Sequence, residues 1–260
     1  MHSPLSIIHP EAKIGTNVTV DPFAVIEKDV SIGDNCRIFP HTTILNGTRI
    51  GSDCQIFPGA VIGGIPQDLK FKGEESTAEI GSHTTIRECV TINRGTISKG
   101  KTIVGEHCLI MAYSHIAHDC VLKNNIIIGN ATQVAGEVKI DDFAIVSGGS
   151  LVHQFVRISK HVMIQGGSRV GKDIPPYTLI GREPIAYCGI NIVGLRRRGF
   201  TNQQVYLIQD IYRTLYTRGL NNSEALKAIE TEYEPGEERN LILNFIKSSD
   251  RGIVRGSIDD

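Results

Sequence analysis

An aliphatic residue recurs at every sixth position over most of this chain. Of the 28 positions reached from residue 8 to residue 170 in steps of six, all but Asp68, Glu74 and Ser98 are Ile, Leu or Val. An α-helix repeats every 3.6 residues and a half-buried strand every two, so neither produces this period. A period of six is typical of solenoids in which each unit supplies one short strand and one corner. The sequence therefore predicts a β-solenoid.

Two further columns keep the same period. Gly often follows the aliphatic residue, as at Gly33 and Gly51, and we expect these glycines at corners that need permissive backbone dihedrals. Small or β-branched residues come four positions after the aliphatic residue and are predicted to fill the interior. Four of the six cysteines belong to this column: Cys36, Cys54, Cys108 and Cys120. With three units per coil, residues 18 apart stack in neighbouring strands at about 4.8 Å.

The period breaks at residues 63–79 and 93–102 and then resumes in phase. Both segments are polar and Gly-rich, as expected of loops extruded from a solenoid, and such loops commonly build functional sites. A tolerated surface insertion is the alternative, but the string QDLK favours a function for the first.

After Val170 the pattern predicts three helices, one capped by Thr201, one opened by an Asn221–Glu224 capping box, and one over ERNLILNFIKSS. We expect a β-solenoid over 1–190 and an α-helical domain over 191–260.

Composition and charge exclude several classes of function. The formal net charge of −1 provides no global basic field for nucleic acid. No apolar run approaches the roughly 20 residues of a membrane-spanning helix, and the N-terminal residues lack the pattern of a signal peptide. The six cysteines include no CxxC pair and so indicate no zinc ribbon. We expect a cytoplasmic, reduced protein that does not insert into membranes.

The string HIAHDC at 115–120 carries the main candidate chemistry. His118 lies two positions beyond the aliphatic Ile116, outside the inward column, and the residue 18 positions later is Gly136. A neutral imidazole beside a glycine amide suits acyl transfer, because the base removes a proton from an attacking hydroxyl while the amide donates to the developing oxyanion. Asp119 or a backbone carbonyl would hold the imidazole tautomer.

Two other interpretations of these histidines stay open. γ-Class carbonic anhydrases share the hexapeptide fold and bind a metal with three histidines, whereas two incidental surface histidines would have no chemical role. Steps of 18 residues place no third histidine one coil away, since they reach Gly100 and Gly136 from His118, and Ile97 and Gln133 from His115. A metal triad across a subunit interface remains as the alternative to a base.

Several strings together resemble one family, the cytoplasmic acyl-[acyl-carrier-protein]–UDP-N-acetylglucosamine O-acyltransferases of lipid A synthesis. They are QDLK (67–70), VTINRGT (90–96), HIAHDC (115–120), AG (135–136), VHQF (152–155), IPPY (174–177) and NIVGLRRRGF (191–200). The resemblance implies a left-handed parallel β-helix with a C-terminal helical domain, and a homotrimer with sites between neighbouring β-helices. It implies a 3-hydroxyacyl-carrier protein as donor, a UDP-amino sugar as acceptor, and no metal or cofactor beyond the phosphopantetheine thioester of the donor.

The resemblance also assigns roles to single residues. His118 would be the general base, Asp119 its acidic support and Gly136 the oxyanion amide. The residues implied to contact the donor or the sugar nucleotide are Gln67, Asp68, Lys70, His115, His153, Gln154, Asn191, Arg197 and Arg198. Guanidinium groups suit a diphosphate, although an RRR run is also common on a solvated face. Gly166 matches the far end of the acyl groove, where glycine argues for a longer acyl chain unless it is simply a corner glycine.

Three positions depart from the family pattern. Asn93 and Glu137 stand where histidine is frequent, and Val193 replaces a glutamate. The resemblance implies that Glu137 lies close to the 3-position of a bound sugar and would alter acceptor choice, since a 3-amino sugar would give an amide, but the hydroxyl acceptor is the first choice. The other hypotheses are the N-acyltransferase of the same pathway, an acetyl-CoA-dependent hexapeptide enzyme, and a non-catalytic scaffold that binds carrier protein.

Overall fold

The computed structural model describes residues 1–256, so the end of the expected helical domain, 257–260, lies outside the described range. Short parallel strands wind into a left-handed β-helix with three faces, and up to Val170 successive strands along the chain belong to successive faces. The last two strands both belong to the third face and pair antiparallel. Each aliphatic residue of the six-residue period ends a strand, except Ile62 and Ile92, whose strands continue into the two loops. This arrangement confirms the predicted solenoid.

The three faces are sheets of nine, eight and ten strands. Face 1 contains β1 (Ile7–Ile8), β4 (Val25–Ile26), β7 (Thr43–Ile44), β10 (Val61–Gly64), β13 (Thr91–Asn93), β16 (His115–Ile116), β19 (Gln133–Val134), β22 (Leu151–Val152) and β25 (Arg169–Val170). Face 2 contains β2 (Lys13–Ile14), β5 (Val30–Ile32), β8 (Thr48–Ile50), β11 (Thr77–Ile80), β14 (Lys101–Val104), β17 (Val121–Leu122), β20 (Lys139–Ile140) and β23 (Arg157–Ile158). Face 3 contains β3 (Thr19–Val20), β6 (Arg37–Ile38), β9 (Gln55–Ile56), β12 (Thr85–Ile86), β15 (Leu109–Ile110), β18 (Ile127–Ile128), β21 (Ile145–Val146), β24 (Met163–Ile164), β26 (Thr178–Gly181) and β27 (Ala186–Ile190).

The strand register shows how the two loops fit into the repeat. In unbroken coils the partners lie 18 residues apart, as with Ile8 and Ile26. Across the first loop Ile62 pairs with Ile92, and across the second Ile92 pairs with Ile116. The loops therefore add twelve and six residues to their coils. Because both are whole numbers of six-residue units, the aliphatic column returns in phase.

The aliphatic column forms the core of the β-helix. From Val20 to Val170 every Ile, Leu or Val of the column is buried, and the four cysteines predicted to fill the interior are buried as well. Burying side chains of this size contributes roughly 1.5–3 kcal/mol each. Stability is therefore spread along the whole axis of the β-helix, with each coil depending on its two neighbours.

Gly33 and Gly51 are required for a reason other than the predicted one, whereas Gly63 adopts a left-handed φ of 83°, as predicted. Gly33 does not adopt a left-handed φ, but a Cβ placed on it would lie 2.7 Å from the carbonyl carbon of Gly51 in the next coil. The left-handed dihedrals occur two positions later, at Asn35 (φ 57°) and Asp53 (φ 58°). Close approach of neighbouring corners therefore excludes side chains at Gly33 and Gly51, and the dihedral freedom of these two glycines is not what is used.

The C-terminal region closes the end of the β-helix. Its helices are α1 (Ile192–Arg197), α2 (Asn202–Tyr216), α3 (Asn222–Glu232) and α4 (Glu237–Lys247). The structure confirms the three predicted helices, with the cap at Thr201 and the capping box at Asn221, and it adds α1. The Thr201 cap is itself a capping box with Gln204. The chain then returns to the β-helix, where Ile253 bridges to Asp173, a contact that the sequence did not predict. No helix within residues 1–256 is long and apolar enough to cross a membrane.

Candidate active site

His118 and Asp119 lie at the corner between β16 on face 1 and β17 on face 2. The Nδ1 atom of His118 is 2.8 Å from Oδ2 of Asp119. The histidine side chain is 11% exposed and the aspartate side chain is fully buried. Because a carboxylate only accepts hydrogen bonds, the imidazole proton lies on Nδ1 and Nε2 is free to accept a proton.

The second loop surrounds the Asp119 carboxylate with donors. Thr96 donates from its backbone nitrogen to Oδ1 at 3.0 Å and from Oγ1 to Oδ2 at 2.6 Å, and the Lys99 backbone nitrogen donates to Oδ1 at 3.3 Å. Burial by itself raises the pKa of Asp119, but the hydrogen bonds from Thr96 and His118 lower it below its usual value. An ionised carboxylate therefore supports the imidazole. Sequence reasoning missed Thr96 and Lys99 as site residues. The only signal for them was the interruption just before the HIAHDC coil.

Gly136 lies directly against the imidazole, in the next coil. A Cβ placed on Gly136 would be 2.7 Å from both Nε2 and Cε1 of His118, so any larger residue would collide with the ring. Within residues 1–256 the Gly136 backbone nitrogen donates to no other group. The structure thus brings together the two groups that the 18-residue step predicted to be neighbours. Gln154 occupies the same corner position one coil further on, since β19 and β22 pair in an unbroken 18-residue register.

The predicted neighbour of His115 on the other side was wrong. Thr91 pairs with His115 where Ile97 was expected, because the second loop inserts six residues into that coil. The same shift removes Gly100 from its predicted place beneath His118. Thr91 Oγ1 lies 2.7 Å from His115 Nδ1, and burial lowers the pKa of His115 below its usual value. Within residues 1–256 no group of three or more His, Cys, Asp or Glu side chains is placed to hold a metal ion.

The first loop projects from the β-helix and carries three predicted contact residues. Gln67 and Lys70 are exposed, and Asp68 closes a turn in which its Oδ1 accepts from the Lys70 backbone nitrogen at 2.9 Å. Asn93 is buried beneath the loop, and its Nδ2 donates to the Ile65 carbonyl at 2.9 Å. Asn93 therefore anchors the start of the first loop.

Glu137 turns away from the corner and toward the second loop. Its Oε2 lies 2.9 Å from Lys99 Nζ and its Oε1 accepts from Ser98 Oγ at 2.8 Å. Burial by itself raises the pKa of Glu137, but the hydrogen bonds from Lys99 and Ser98 lower it below its usual value. Both carboxylate oxygens are thus occupied within the chain.

Comparison with known proteins decides the family. Two curated relatives are described as acyl-[acyl-carrier-protein]--UDP-N-acetylglucosamine O-acyltransferases. The Burkholderia orbicola protein is 43% identical over 75% of this chain and 77% of its own length, and the Pseudomonas syringae pv. tomato protein is 42% identical over 72% and 73%. The chain belongs to the UDP-N-acetylglucosamine O-acyltransferase family.

Solved structures of the family agree over nearly the whole chain. The UDP-N-acetylglucosamine acyltransferase of Bacteroides fragilis is 58% identical, with 98% of this chain and 100% of that chain covered and a TM-score of 0.97. The Francisella novicida enzyme is 40% identical, with 99% and 95% covered and a TM-score of 0.96. Three family models match: GMPPB C-terminal domain at residues 2–103, bacterial transferase hexapeptide (six repeats) at 101–136, and UDP N-acetylglucosamine O-acyltransferase, domain 2, at 173–254.

The segment matched by the O-acyltransferase domain 2 model contains Asn191, Arg197 and Arg198, and these three residues lie on the face 3 side of the chain. Asn191 is buried and caps α1, because its Oδ1 accepts from the Gly194 nitrogen at 3.1 Å and its Nδ2 donates to the His161 carbonyl at 3.0 Å. This side-chain amide is therefore occupied by contacts within the chain.

A cleft of about 650 Å³ lies between α1 and face 3. Apolar side chains of face 3 form its floor, and Val193, Arg197 and Arg198 line it as well. The Arg198 guanidinium stacks 4.8 Å from the centre of the Phe143 ring, whereas Arg197 is exposed. Within one chain this cleft and the His118 corner do not share lining residues.

Two other predicted residues lie further along the β-helix. The His153 Nδ1 atom is 3.0 Å from the Gln154 carbonyl oxygen and 3.2 Å from an Arg251 guanidinium nitrogen. The first contact needs a proton on Nδ1 and the second a lone pair, so only one forms at a time. Gly166 is exposed, and a Cβ placed there would lie 3.1 Å from the Gly148 carbonyl oxygen.

Proposed function

We propose that this chain transfers a 3-hydroxyacyl group from acyl carrier protein to the 3-hydroxyl of UDP-N-acetylglucosamine, the first step of lipid A synthesis. The observation that carries the proposal is the His118–Gly136 pair, in which Nδ1 is bound to a buried carboxylate and the ring lies against a glycine. The names of the relatives support the choice of donor and acceptor.

The reaction follows from the positions of these groups. His118 Nε2 removes the proton of the sugar hydroxyl as its oxygen attacks the thioester carbonyl carbon. The Gly136 N–H donates to the oxyanion that develops on the carbonyl oxygen. As the new C–O bond forms and the C–S bond breaks, the thiolate of the donor takes the proton from the imidazolium. The Asp119 carboxylate stabilises the imidazolium in between. Neither a metal nor a covalent acyl-enzyme is part of the proposal.

A cationic cleft supports a donor that carries phosphate on an acidic protein. This cleft of about 650 Å³ lies on face 2, beside the His118 corner, and Lys99 is part of its lining. Its charged lining residues are four cations and two acids: Lys99, Lys123, Lys139, Arg157, Asp141 and Asp250. An excess of positive charge attracts an acidic carrier protein and its phosphopantetheine arm.

The separation of the two groups of predicted site residues supports a homotrimer. In one chain His118 lies at the corner of faces 1 and 2, whereas Arg197 and Arg198 line the face 3 cleft. A site that uses both groups needs two copies of the chain. The first loop offers a contact for such a neighbour, because Leu69 beside Lys70 is fully exposed. A cytoplasmic location, expected from the sequence, belongs to the same proposal.

Mass spectrometry of the product tests the reaction and its acceptor together. Purified protein is given 3-hydroxyacyl-carrier protein, with UDP-N-acetylglucosamine and its 3-amino analogue in competition. We expect an O-acylated sugar, because the Glu137 carboxylate is held by Lys99 and Ser98. A dominant amide product would keep the mechanism but reassign the acceptor. The absence of product with either acceptor would favour a non-catalytic carrier-protein-binding scaffold.

A further inference from the structure

One lysine of the second loop bonds to both coils of the candidate site. The Lys99 Nζ atom lies 3.3 Å from the backbone carbonyl oxygen of Asp119 and 2.9 Å from Oε2 of Glu137. Asp119 directly follows His118, and Glu137 directly follows Gly136. The lysine therefore links the residue after the base to the residue after the oxyanion glycine, across neighbouring coils.

The link matters for the reaction because His118 and Gly136 are packed closely against each other. A Cβ on Gly136 would lie 2.7 Å from two atoms of the His118 ring, so the two coils approach as closely as glycine allows. Acyl transfer needs the base and the oxyanion donor within hydrogen-bond reach of one substrate. Displacing either group by about 1 Å lowers the reaction rate. A contact that fixes the separation of the two coils thus acts on the reaction geometry.

The Lys99–Glu137 pair is also less exposed than an ordinary surface ion pair. Its side chains are 28% and 18% exposed, and a second donor, Ser98 Oγ, fixes the other oxygen of Glu137. The nearby Lys101–Glu79 pair on face 2 has side chains that are 48% and 36% exposed, and Thr77 Oγ1 donates to the other oxygen of Glu79. Surface ion pairs generally contribute little to stability, so Lys101–Glu79 is a matched comparison that lacks contact with the candidate site.

We propose that Lys99 and Glu137 form a brace between coils that positions His118 against Gly136. The inference rests on the proposed function and adds two positioning residues to it. It also gives Glu137 a role other than contact with the acceptor. Lys99 and Glu137 act through the coils they join and do not touch the reacting atoms.

The brace should also affect the pH dependence of the rate, because it places two charges near His118. Around His118, Asp119 lies on its own corner, His115 lies on β16, and the Lys99–Glu137 pair joins the second loop to the next coil. Removing the Lys99 charge leaves the Glu137 carboxylate unbalanced, which favours the protonated imidazole. Removing the Glu137 charge leaves the ammonium unbalanced, which favours the neutral imidazole. The acidic limb of the rate profile should therefore move to higher pH in the first variant and to lower pH in the second.

Steady-state kinetics of Lys99→Met, Glu137→Gln and the double variant test the brace. We expect each single variant to lose kcat on the order of tenfold with little change in the KM of the sugar nucleotide, and the double variant to be no worse than the worse single one. Lys99→Arg should restore most of kcat, while Lys101→Met should match the wild type. Thermal unfolding by circular dichroism checks that all variants are folded.

Three results would overturn the brace: multiplicative losses in the double variant, unchanged kcat and pH profile in both single variants, or a rise confined to the KM of the sugar nucleotide. The last would make Glu137 an acceptor contact. The His118→Ala variant separates this failure from that of the proposed function. If His118→Ala is inactive while the Lys99 and Glu137 variants behave as wild type, only the brace is wrong. If His118→Ala keeps full activity, the proposed base is wrong and the brace has no base to position.

Discussion

The two loops that interrupt the β-helix begin with the same sequence signature and end in different structural positions. Both are polar, Gly-rich and whole numbers of repeat units long. The first, between β10 and β11, projects outward with Leu69 fully exposed at its tip. The second, between β13 and β14, folds back so that Thr96 and Lys99 bond to the buried Asp119. We infer that the first loop reaches toward substrates or a neighbouring subunit, while the second builds the support of the base.

The loops are also connected to each other. The Ile97 backbone nitrogen of the second loop donates to Glu74 Oε1 of the first at 3.1 Å, and Asn93 holds the Ile65 carbonyl. Substitutions can nevertheless separate their roles. Changes in the second loop should lower kcat, and changes in the first should raise KM.

The largest expected effect is the loss of the base that the second loop supports. His118→Ala should lower kcat by about 10²- to 10⁴-fold, the range that a positioned general base contributes. The chain should remain folded, because His118 lies outside the aliphatic column. Single-turnover acyl transfer measures the effect. Activity close to that of the wild type would remove the base and, with it, the role assigned to the second loop.

Thr96→Val should produce the next largest effect. The variant keeps the shape of the side chain but removes the 2.6 Å hydrogen bond to Asp119. We expect kcat to fall on the order of tenfold with both KM values nearly unchanged, because only the imidazole support is altered. Thr85→Val, at a half-buried position on face 3, is the matched control. A loss that appears mainly in KM would contradict the division of roles between the loops.

Lys70→Ala tests whether the first loop binds substrate. Lys70 is exposed and free to meet a phosphate or carbonyl oxygen of the substrate, so its loss should raise KM several-fold, the order of one charge-assisted hydrogen bond. Lys72→Ala, also exposed on the same loop, should leave KM unchanged. If Lys70→Ala lowers kcat alone, the first loop takes part in the chemical step and the comparison fails.

The smallest expected effect is a dependence of stability on acid. The pKa of Asp119 is lowered in the folded chain, so the carboxylate stabilises the fold above its unfolded pKa of about 3.9, and this contribution is lost as the pH falls through the lowered value. At pH 7, Thr96→Val should cost about 1.5–3 kcal/mol of unfolding free energy, the range for a hydrogen bond to a charged group. Urea unfolding should show this difference shrinking below about pH 3.9. A difference independent of pH would mean that Thr96 does not act through the carboxylate charge.

Sequence reasoning succeeded where the repeat is unbroken and failed where a loop intervenes. The 18-residue step from His118 to Gly136 crosses no loop, and the structure places the two residues in contact. The same step applied backward from His115 crosses the second loop and gave Ile97, whereas the true partner is Thr91. The helix caps at Thr201 and Asn221 were also predictable, because a cap depends on residues three positions apart.

The solenoid, its buried aliphatic column and the neighbours of each unbroken coil could all be predicted from the sequence, because a fixed six-residue period fixes which residues pair in neighbouring coils. The sequence also indicated His118, since that residue falls outside the inward column. The folded chain was needed to show that Gly33 and Gly51 allow close packing of corners, that Asn191 caps a helix, and that Lys99 meets Glu137. Loops carry no period, so their positions depend on contacts between residues far apart in the chain, and those contacts exist only once the coils are stacked.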